Sequence, residues 1–414
     1  AVNAGRAPVE EPGLQALIDA SRSRLRATND AMAAVRDSDV TFIIVPTPSD
    51  ASGRFSNEYA VTAMATVGQA IRQKSGYHLV VMTSTVMPGS TGGVLRQALE
   101  QHAGRTLGPT LGLCYNPEFI ALGSVVRDML RPDMILIGES DAQAGEMLEG
   151  IYHTSCDNQP AIRRMNFVNA ELTKIAVNTY VTTKISYANM LADLCDRLPD
   201  ADVDVVTKAV GSDSRVGSKY LRGATGYGGP CFPRDNVAFA ALARQIGARA
   251  ELAEATDSIN QYQLDRVLDI IAAHHQGSGA IAVLGLSYKP DTAVIERSQG
   301  VALVDRLCAQ GRRVLAYDPK ALDATRAAVR HTFETPGSAT DCVRQASLVV
   351  IMTPWPEFAQ IPIDAFARTG QRVTVVDCWR MIPEAVSAVA TLVHPGRGAM
   401  SGAVPAGHSS NLLA

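Results

Sequence analysis

The chain has 414 residues, 46% of them hydrophobic, with a formal net charge of −3 and a mean hydropathy of +0.04. Such a chain makes two or three domains of roughly 150 residues each, and its charge argues against a nucleic-acid binder, which carries a clustered basic surplus. No uncharged apolar run reaches the roughly 18 residues of a membrane span, and no signal-peptide pattern opens the chain.

In chain order, Glu11 to Ala20 reads as a helix after Pro12, and Asn29 and Asp30 offer caps for a second, Ala31 to Arg36. VTFIIVPTPSD, Val40 to Asp50, is a β-branched run ending in Thr and Pro, the pattern of a buried parallel strand feeding a loop. Residues 59–74 are helical, Tyr77 to Thr83 is a strand ending in STVMPGST, and 91–101 return to helix. Leu111 to Cys114 and Met134 to Ile137 are short strands. This alternation predicts a doubly wound α/β domain over residues 1–165.

Asn169 to Arg197 then runs without Gly or Pro, which predicts one long helix and the spine of a helical domain, 166–272. A second α/β domain follows over 273–394, with strands in Ala280–Pro290, 312–319, 346–358 and 371–380. VTFIIVPTP and LVVIMTPWP are alike, so the two α/β halves read as two copies of one nucleotide-binding design. The fold class is α/β: two Rossmann-like doubly wound domains joined by a long helix and a helical dimerisation domain. The Gly/Ser/Ala-rich end, 395–414, reads as a disordered tail.

Seven cysteines are scattered without a Cys-x-x-Cys pair, which is neither a disulfide framework nor a zinc pattern and suits a reducing cytoplasm. One sits in GYGGPCFPRD, Gly226 to Asp235. Glycines at 226, 228 and 229 would let backbone approach a ligand, and Asp235 follows Cys231 by four residues. Locally this fits a reactive thiol and a glycine-rich turn equally well. Lys174 and Asn178 share a helix face at i and i+4, although a helical Lys is ordinarily a solvated charge. In CYNPEF, Glu118 follows a strand and is either a buried acid or a loop charge. Ser84 and Thr85 also follow a strand and fit a phosphate contact or a helix cap. Arg215, Lys219 and Arg222 form a basic patch before the cysteine. Lys289 and Arg380 add cations at strand ends.

Together these motifs resemble the UDP-glucose/GDP-mannose dehydrogenase family from about Asn3 to Pro383. GYGGPCFPRD is similar to its catalytic-cysteine motif, and NPEF, NAELTKIAVNTY, RVGSKYL, GLSYKPDT and DCWR stand in family order. The resemblance implies a four-electron, NAD-dependent oxidation of the C6 hydroxyl of a UDP-sugar, UDP-glucose first, with UDP-N-acetylmannosamine, GDP-mannose or an inactive sugar-nucleotide binder as alternatives. It implies that Cys231 captures the C6 aldehyde, that Lys174 and Asn178 stabilise the oxyanion, and that Asp235 works with a water, helped by Thr85. Glu118 assists ester hydrolysis. Phe119, Lys174, Tyr220, Arg222, Gly228, Lys289 and Arg380 contact the substrate, and Arg215 reaches the neighbouring subunit's substrate in a homodimer. Thr47, Pro48, Thr85 and Arg297 contact NAD. No metal, nucleic-acid or membrane role is implied.

Three departures from the family pattern stand out. Its opening strand, GxGxxG turn and helix do not precede these residues, so the chain is expected to be amino-terminally truncated and short of the pyrophosphate site. Leu122 replaces an acid near the nucleotide. Ala293 and Val294 replace an acidic pair, and Arg297 is displaced by one residue.

Overall fold

The structure is a computed structural model that describes residues 1–370 and 372–400. The chain divides into two compact units, Ala1–Asn178 with Val237–Ala250, and Thr179–Asn236 with the chain from Glu251 on.

The first unit begins with α1 (Leu14–Ser21) and α2 (Ala31–Arg36). Gly13 precedes α1 at φ +83, so that helix starts three residues later than the sequence suggests. Asp30 caps α2 by accepting from Ala33 N. There follow β1 (Val40–Ile43), α3 (Glu58–Arg72), β2 (His78–Met82), α4 (Arg96–Ala103), β3 (Leu111–Tyr115), α5 (Val125–Leu130), β4 (Met134–Glu139), α6 (Ala142–Ser155), β5 (Ala161–Met165) and the first turns of α7 (Phe167–Arg197). The expected helix at 91–101 opens as a wide π-type turn, Thr91–Leu95, around a non-helical Gly93.

The strands form one sheet in the order β1-β2-β3-β4-β5, parallel except for β3 with β4. β2 and β3 are buried throughout, and each buried Leu or Val there is worth roughly 1.5–3 kcal/mol. The expectation that Val40 opens a buried strand is corrected. Among the described residues β1 has β2 as its only strand neighbour, so Phe42 stays 41% exposed and Ile44 lies open beyond it.

The second unit takes the rest of α7, then α8 (Val203–Ser212), the start of α9 (Phe232–Gln245) and α10 (Glu251–His274). Its sheet alternates β6 (Ile281–Leu284), α11 (Gln299–Ala309), β7 (Val314–Tyr317), α12 (Leu322–Ala328), α13 (Ala339–Gln345), β8 (Leu348–Ile351), β9 (Thr374–Asp377) and β10 (Thr391–Val393). The order is β10-β9-β8-β6-β7, all parallel, which places the switch of winding direction between β6 and β8. Apolar cores cover both faces of this sheet.

The expected disorder from residue 395 is corrected for its first six residues. Gly396 N donates to Asp196 Oδ1 at 2.5 Å, Val203 N donates to Gly396 O at 2.9 Å, and Gly398 N donates to Ala201 O at 2.9 Å. A Cβ on Gly398 would lie 1.9 Å from the Leu198 carbonyl, so this glycine marks a close approach of two backbones. Residues 401–414 of the expected tail lie outside the described residues.

Candidate active site

In the first unit the loops that leave β1 and β2 are laced together. Ser84 Oγ accepts from Val45 N at 2.8 Å, and Thr47 Oγ1 donates to Thr85 O at 2.9 Å. Pro48 follows Thr47 in the same loop. Ser84 therefore ties strand ends together and is not a helix cap. Thr83 Oγ1, at the carboxyl end of β2, is buried without a partner among the described residues.

The CYNPEF segment leaves β3. Asn116 is structural: its Nδ2 donates to Leu136 O at 2.9 Å and its Oδ1 accepts from Tyr152 Oη. Glu118 and Phe119 meet Lys174 of α7. The Lys174 ammonium donates to the Glu118 carbonyl, lies 3.7 Å from Glu118 Oε2 and stands 4.5 Å from the centre of the Phe119 ring. Lys174 is only 4% exposed, which overturns the solvated charge that its spacing alone suggests. The carbonyl, carboxylate and ring face together offset the loss of water around a buried cation. Asn178 is buried one turn further on the same face.

Sequence reasoning missed Glu171, one turn before Lys174. Its fully buried carboxylate accepts from Gly89 N at 2.6 Å and Thr91 N at 2.7 Å, at the opening of the wide turn before α4. Burial pushes this carboxyl above the usual range, while the two backbone donors pull it down. The signal was an acid inside an apolar helical run, at i−3 from the lysine.

In the second unit Cys231 immediately precedes α9 and is exposed; Asp235, one turn into the helix, is buried, and its N–H donates to Cys231 O at 2.9 Å. The N-terminal end of a 14-residue helix favours negative charge at that point. The glycines before the cysteine receive protein atoms. A Cβ on Gly228 would lie 2.4 Å from Arg297 O, and one on Gly229, at φ +85, would lie 2.6 Å from the Tyr288 ring. Gly229 N also donates to Glu296 O at 2.9 Å. That Tyr288, next to Lys289, packs against the cysteine turn was not foreseen. Burial, with the charge of Cys231 adding to it, pushes the Tyr288 phenol up to about 12. The GLSYKP loop thus packs against the cysteine turn, and Lys289 follows Tyr288 along it.

The basic patch disperses. Arg215 lies in a bidentate pair with Asp213, its Nη2 2.7 Å from Oδ2. Arg222 stacks 5.6 Å above Trp379 and donates to the Trp379 carbonyl. Arg380, at φ +52, has its Nη1 2.5 Å from Asp202 and 2.9 Å from Asp204, at the start of α8. Tyr220 also has a positive φ, +64, and meets Phe232 edge-on with ring centres 6.4 Å apart. Arg297, at φ +53, acts by its charge on Asp257.

A further buried acid organises the strand ends of this sheet. Asp318, just after β7, accepts from Leu286 N, Ser287 N, Ser287 Oγ, Trp355 Nε1, Lys320 N and Ala321 N, all within 2.7–3.0 Å. One carboxylate thereby joins the loops after β6, β7 and β8.

Three consecutive parts of the chain match the UDP-glucose/GDP-mannose dehydrogenase family: its NAD-binding domain over residues 1–156, its central domain over 168–262 and its UDP-binding domain over 282–384. The chain is 35% identical over 385 residues to the UDP-glucose 6-dehydrogenase AglM of Haloferax volcanii, covering 92% of this chain and 88% of that one. It is 33% identical over 321 residues to a GDP-mannose 6-dehydrogenase of Pseudomonas aeruginosa, covering 77% and 72%. Among solved structures, a UDP-glucose dehydrogenase from Pyrobaculum islandicum superposes with a TM-score of 0.85 at 32% identity, over 96% of this chain and 89% of that one.

Proposed function

The chain belongs to the UDP-glucose/GDP-mannose dehydrogenase family, with that family's NAD-binding and UDP-binding domains, and from this premise we propose that it oxidises C6 of UDP-glucose to the carboxylate through Cys231. The observation that carries the reading is the placement of Cys231: an exposed thiol at the N-terminus of α9, with the buried Asp235 one turn away.

NAD, when bound, supplies the acceptor for each of two hydrides. The carboxyl end of the first sheet fits its nicotinamide half. Thr47, Pro48 and Thr85 stand on loops already tied together there, and Thr83 Oγ1 is a buried polar atom without a partner among the described residues. Arg297 is proposed as a further contact of the cofactor.

The chain's own steps follow. Asp235, through a water and with Thr85, takes the proton of the C6 hydroxyl as the alcohol becomes an aldehyde. Cys231 Sγ adds to the aldehyde carbon and gives a thiohemiacetal, which retains the intermediate. Loss of a second hydride and of the hydroxyl proton gives a thioester. Water adds to its carbonyl carbon with the aid of Glu118, and the C–S bond breaks to return the thiol and release the carboxylate. Lys174 by charge and Asn178 by a neutral hydrogen bond stabilise the oxygen of C6 where negative charge develops. Phe119, Tyr220, Arg222, Gly228, Lys289 and Arg380 hold the sugar nucleotide.

By this reading residues 1–165 bind NAD, 166–272 carry the cysteine and the dimer surface, and 273–394 bind the UDP-sugar. Tyr180, Tyr187, Met190 and Leu194 leave an exposed apolar stripe on α7 at helical spacing, continued by Leu198 just past its end, which supports a homodimer in which Arg215 reaches the partner's substrate. None of the seven cysteines is in a disulfide, which favours a cytoplasmic location.

NADH formation is measured with UDP-glucose, UDP-N-acetylmannosamine and GDP-mannose, for the wild type and for Cys231→Ser. UDP-glucose is expected to be the best substrate by kcat/KM. Undiminished turnover in the serine variant refutes the mechanism, and preference for another sugar nucleotide refutes the substrate.

A further inference from the structure

The turn that carries Cys231 has no helix or strand of its own between residues 221 and 230, yet Tyr227 within it is only 6% exposed. A buried peptide needs partners for both its N–H and its C=O. Asn260 of α10, itself buried, supplies both: its Oδ1 accepts from Tyr227 N at 2.7 Å and its Nδ2 donates to Tyr227 O at 3.0 Å. One side-chain amide thereby replaces the strand neighbour that an extended residue exchanges two hydrogen bonds with.

The ring end of Tyr227 is held from α9. Asn236 Nδ2 donates to Tyr227 Oη at 2.7 Å, and Asn236 Oδ1 accepts from Thr182 Oγ1 at 3.1 Å. Tyr227 Oη in turn donates to Asp257 of α10 at 3.4 Å, and the ring meets Phe232 edge-on at 6.3 Å. Cys231 sits between the two anchored points, four residues after Tyr227 and five before Asn236.

We propose that Asn260 is a positioning residue for Cys231: its paired hydrogen bonds to the Tyr227 peptide hold the turn from which the thiol reaches the substrate carbon. This rests on the reading of Cys231 as the nucleophile. Ordering each backbone residue of such a turn costs roughly 1–2 kcal/mol, and Asn260 shares that work with Asn189, which pairs with Ala224 N and Thr225 O, and with the Glu296 carbonyl, which accepts from Gly229 N. Without Asn260 the Tyr227 peptide is left unpaired or the turn relaxes. Misplacing a reacting group by about 1 Å costs about 10²-fold in rate.

The test uses Asn260→Ala and Asn260→Asp in the full chain, read by hydrogen–deuterium exchange across residues 226–231 and by steady-state kinetics with UDP-glucose. In Asn260→Ala, exchange at 226–231 is expected to quicken while α9 and α10 keep wild-type protection, and kcat to fall about 10²-fold with KM changed by less than about threefold. Asn260→Asp keeps the acceptor for Tyr227 N–H and loses the donor to its carbonyl, so it falls between the two, and it serves as the test if the alanine variant does not fold. Wild-type kcat in Asn260→Ala, or exchange that quickens equally through α9 and α10, overturns the inference. Full turnover by Cys231→Ser overturns the reading of the thiol instead, and the inference with it.

Discussion

The buried ammonium of Lys174 donates to the backbone carbonyl of Glu118, and the carboxylate of the same residue lies 3.7 Å away. The carbonyl accepts directly from the ammonium, whereas the carboxylate, further away and partly exposed to solvent, adds less. Lys174→Ala is therefore expected to lower kcat by about 10²–10³-fold, the usual loss of one oxyanion donor. Glu118→Gln keeps the carbonyl contact and leaves Lys174 in position, so its loss falls on the hydrolytic step. Steady-state and single-turnover NADH kinetics separate the two; a Lys174→Ala enzyme within threefold of wild-type kcat, roughly half a power of ten, rules out the oxyanion role.

Gly229→Ala places a methyl 2.6 Å from the Tyr288 ring in a residue at φ +85. The backbone strain alone costs about 1–3 kcal/mol, and the ring must also shift. A lowered Tm and a lowered kcat are expected together. Combining it with Tyr288→Ala relieves the clash but not the strain, so the double variant is more stable than the sum of the singles predicts.

Asp318→Ala strips an acceptor from six donors on three loops. Its expected cost is at least about 3 kcal/mol, because buried N–H groups lose their partner without regaining bulk water. Asp318→Asn is little better, since an amide turns N–H groups toward donors. Chemical denaturation followed by tryptophan fluorescence reads this directly, as Trp355 is one of the donors.

His78 is buried between Lys74 and Thr41. The ammonium of Lys74 lies 3.1 Å from Nδ1, which must therefore accept, leaving Nε2–H to donate to Thr41 Oγ1 at 2.9 Å. Burial first, and the Lys74 charge second, lower its pKa from 6.5 to about 4. The folded chain thus refuses a proton that the unfolded chain accepts. Stability from this site is complete above pH 6.5 and falls as the pH drops from there to about 4, by about 3 kcal/mol in all. Unfolding measured across that range is expected to lose part of its slope in His78→Gln; an unchanged slope assigns the acid sensitivity elsewhere.

Leu194→Asp puts a charge in the middle of the exposed apolar stripe of α7. If the stripe is the dimer surface, light scattering is expected to shift from twice the chain mass toward 44.0 kDa, with little change in monomer helicity. A wild-type chain that runs at 44.0 kDa refutes the homodimer itself.

Much of the candidate site can be picked out in the sequence because the residues proposed for it lie in short, ordered motifs. Lys174 and Asn178 are one turn apart, and helical spacing shows that they share a face, while Cys231 and Asp235 stand four residues apart in one motif. What spacing could not supply is whether a face is wet. Lys174 looks like any surface lysine until a carbonyl 56 residues earlier in the chain is brought to it. For the same reason the apolar run from Val40 to Asp50 reads as a buried strand feeding a loop and the tail 395–414 as disordered, although Phe42 and Ile44 are exposed and residues 396–399 are hydrogen-bonded. Composition records that a strand is apolar or a tail glycine-rich, but not how many neighbours the strand has or what the glycines touch.

By itself, then, the sequence determined the local elements and the order of the motifs, because hydrophobic period, caps and turn residues act over a few neighbours. Apolar β-branched runs became strands, and a 31-residue stretch from Phe167 to Arg197 became one helix. The tertiary structure alone decided the strand order, the antiparallel step between β3 and β4, and the joining of three loops by Asp318. It alone placed Tyr288 beneath Gly229 and gave both hydrogen bonds of the Tyr227 peptide to Asn260. These contacts span tens of residues and leave no periodic trace in the chain. They exist because buried backbone and charge must find partners, and only the folded packing shows which partners are within reach.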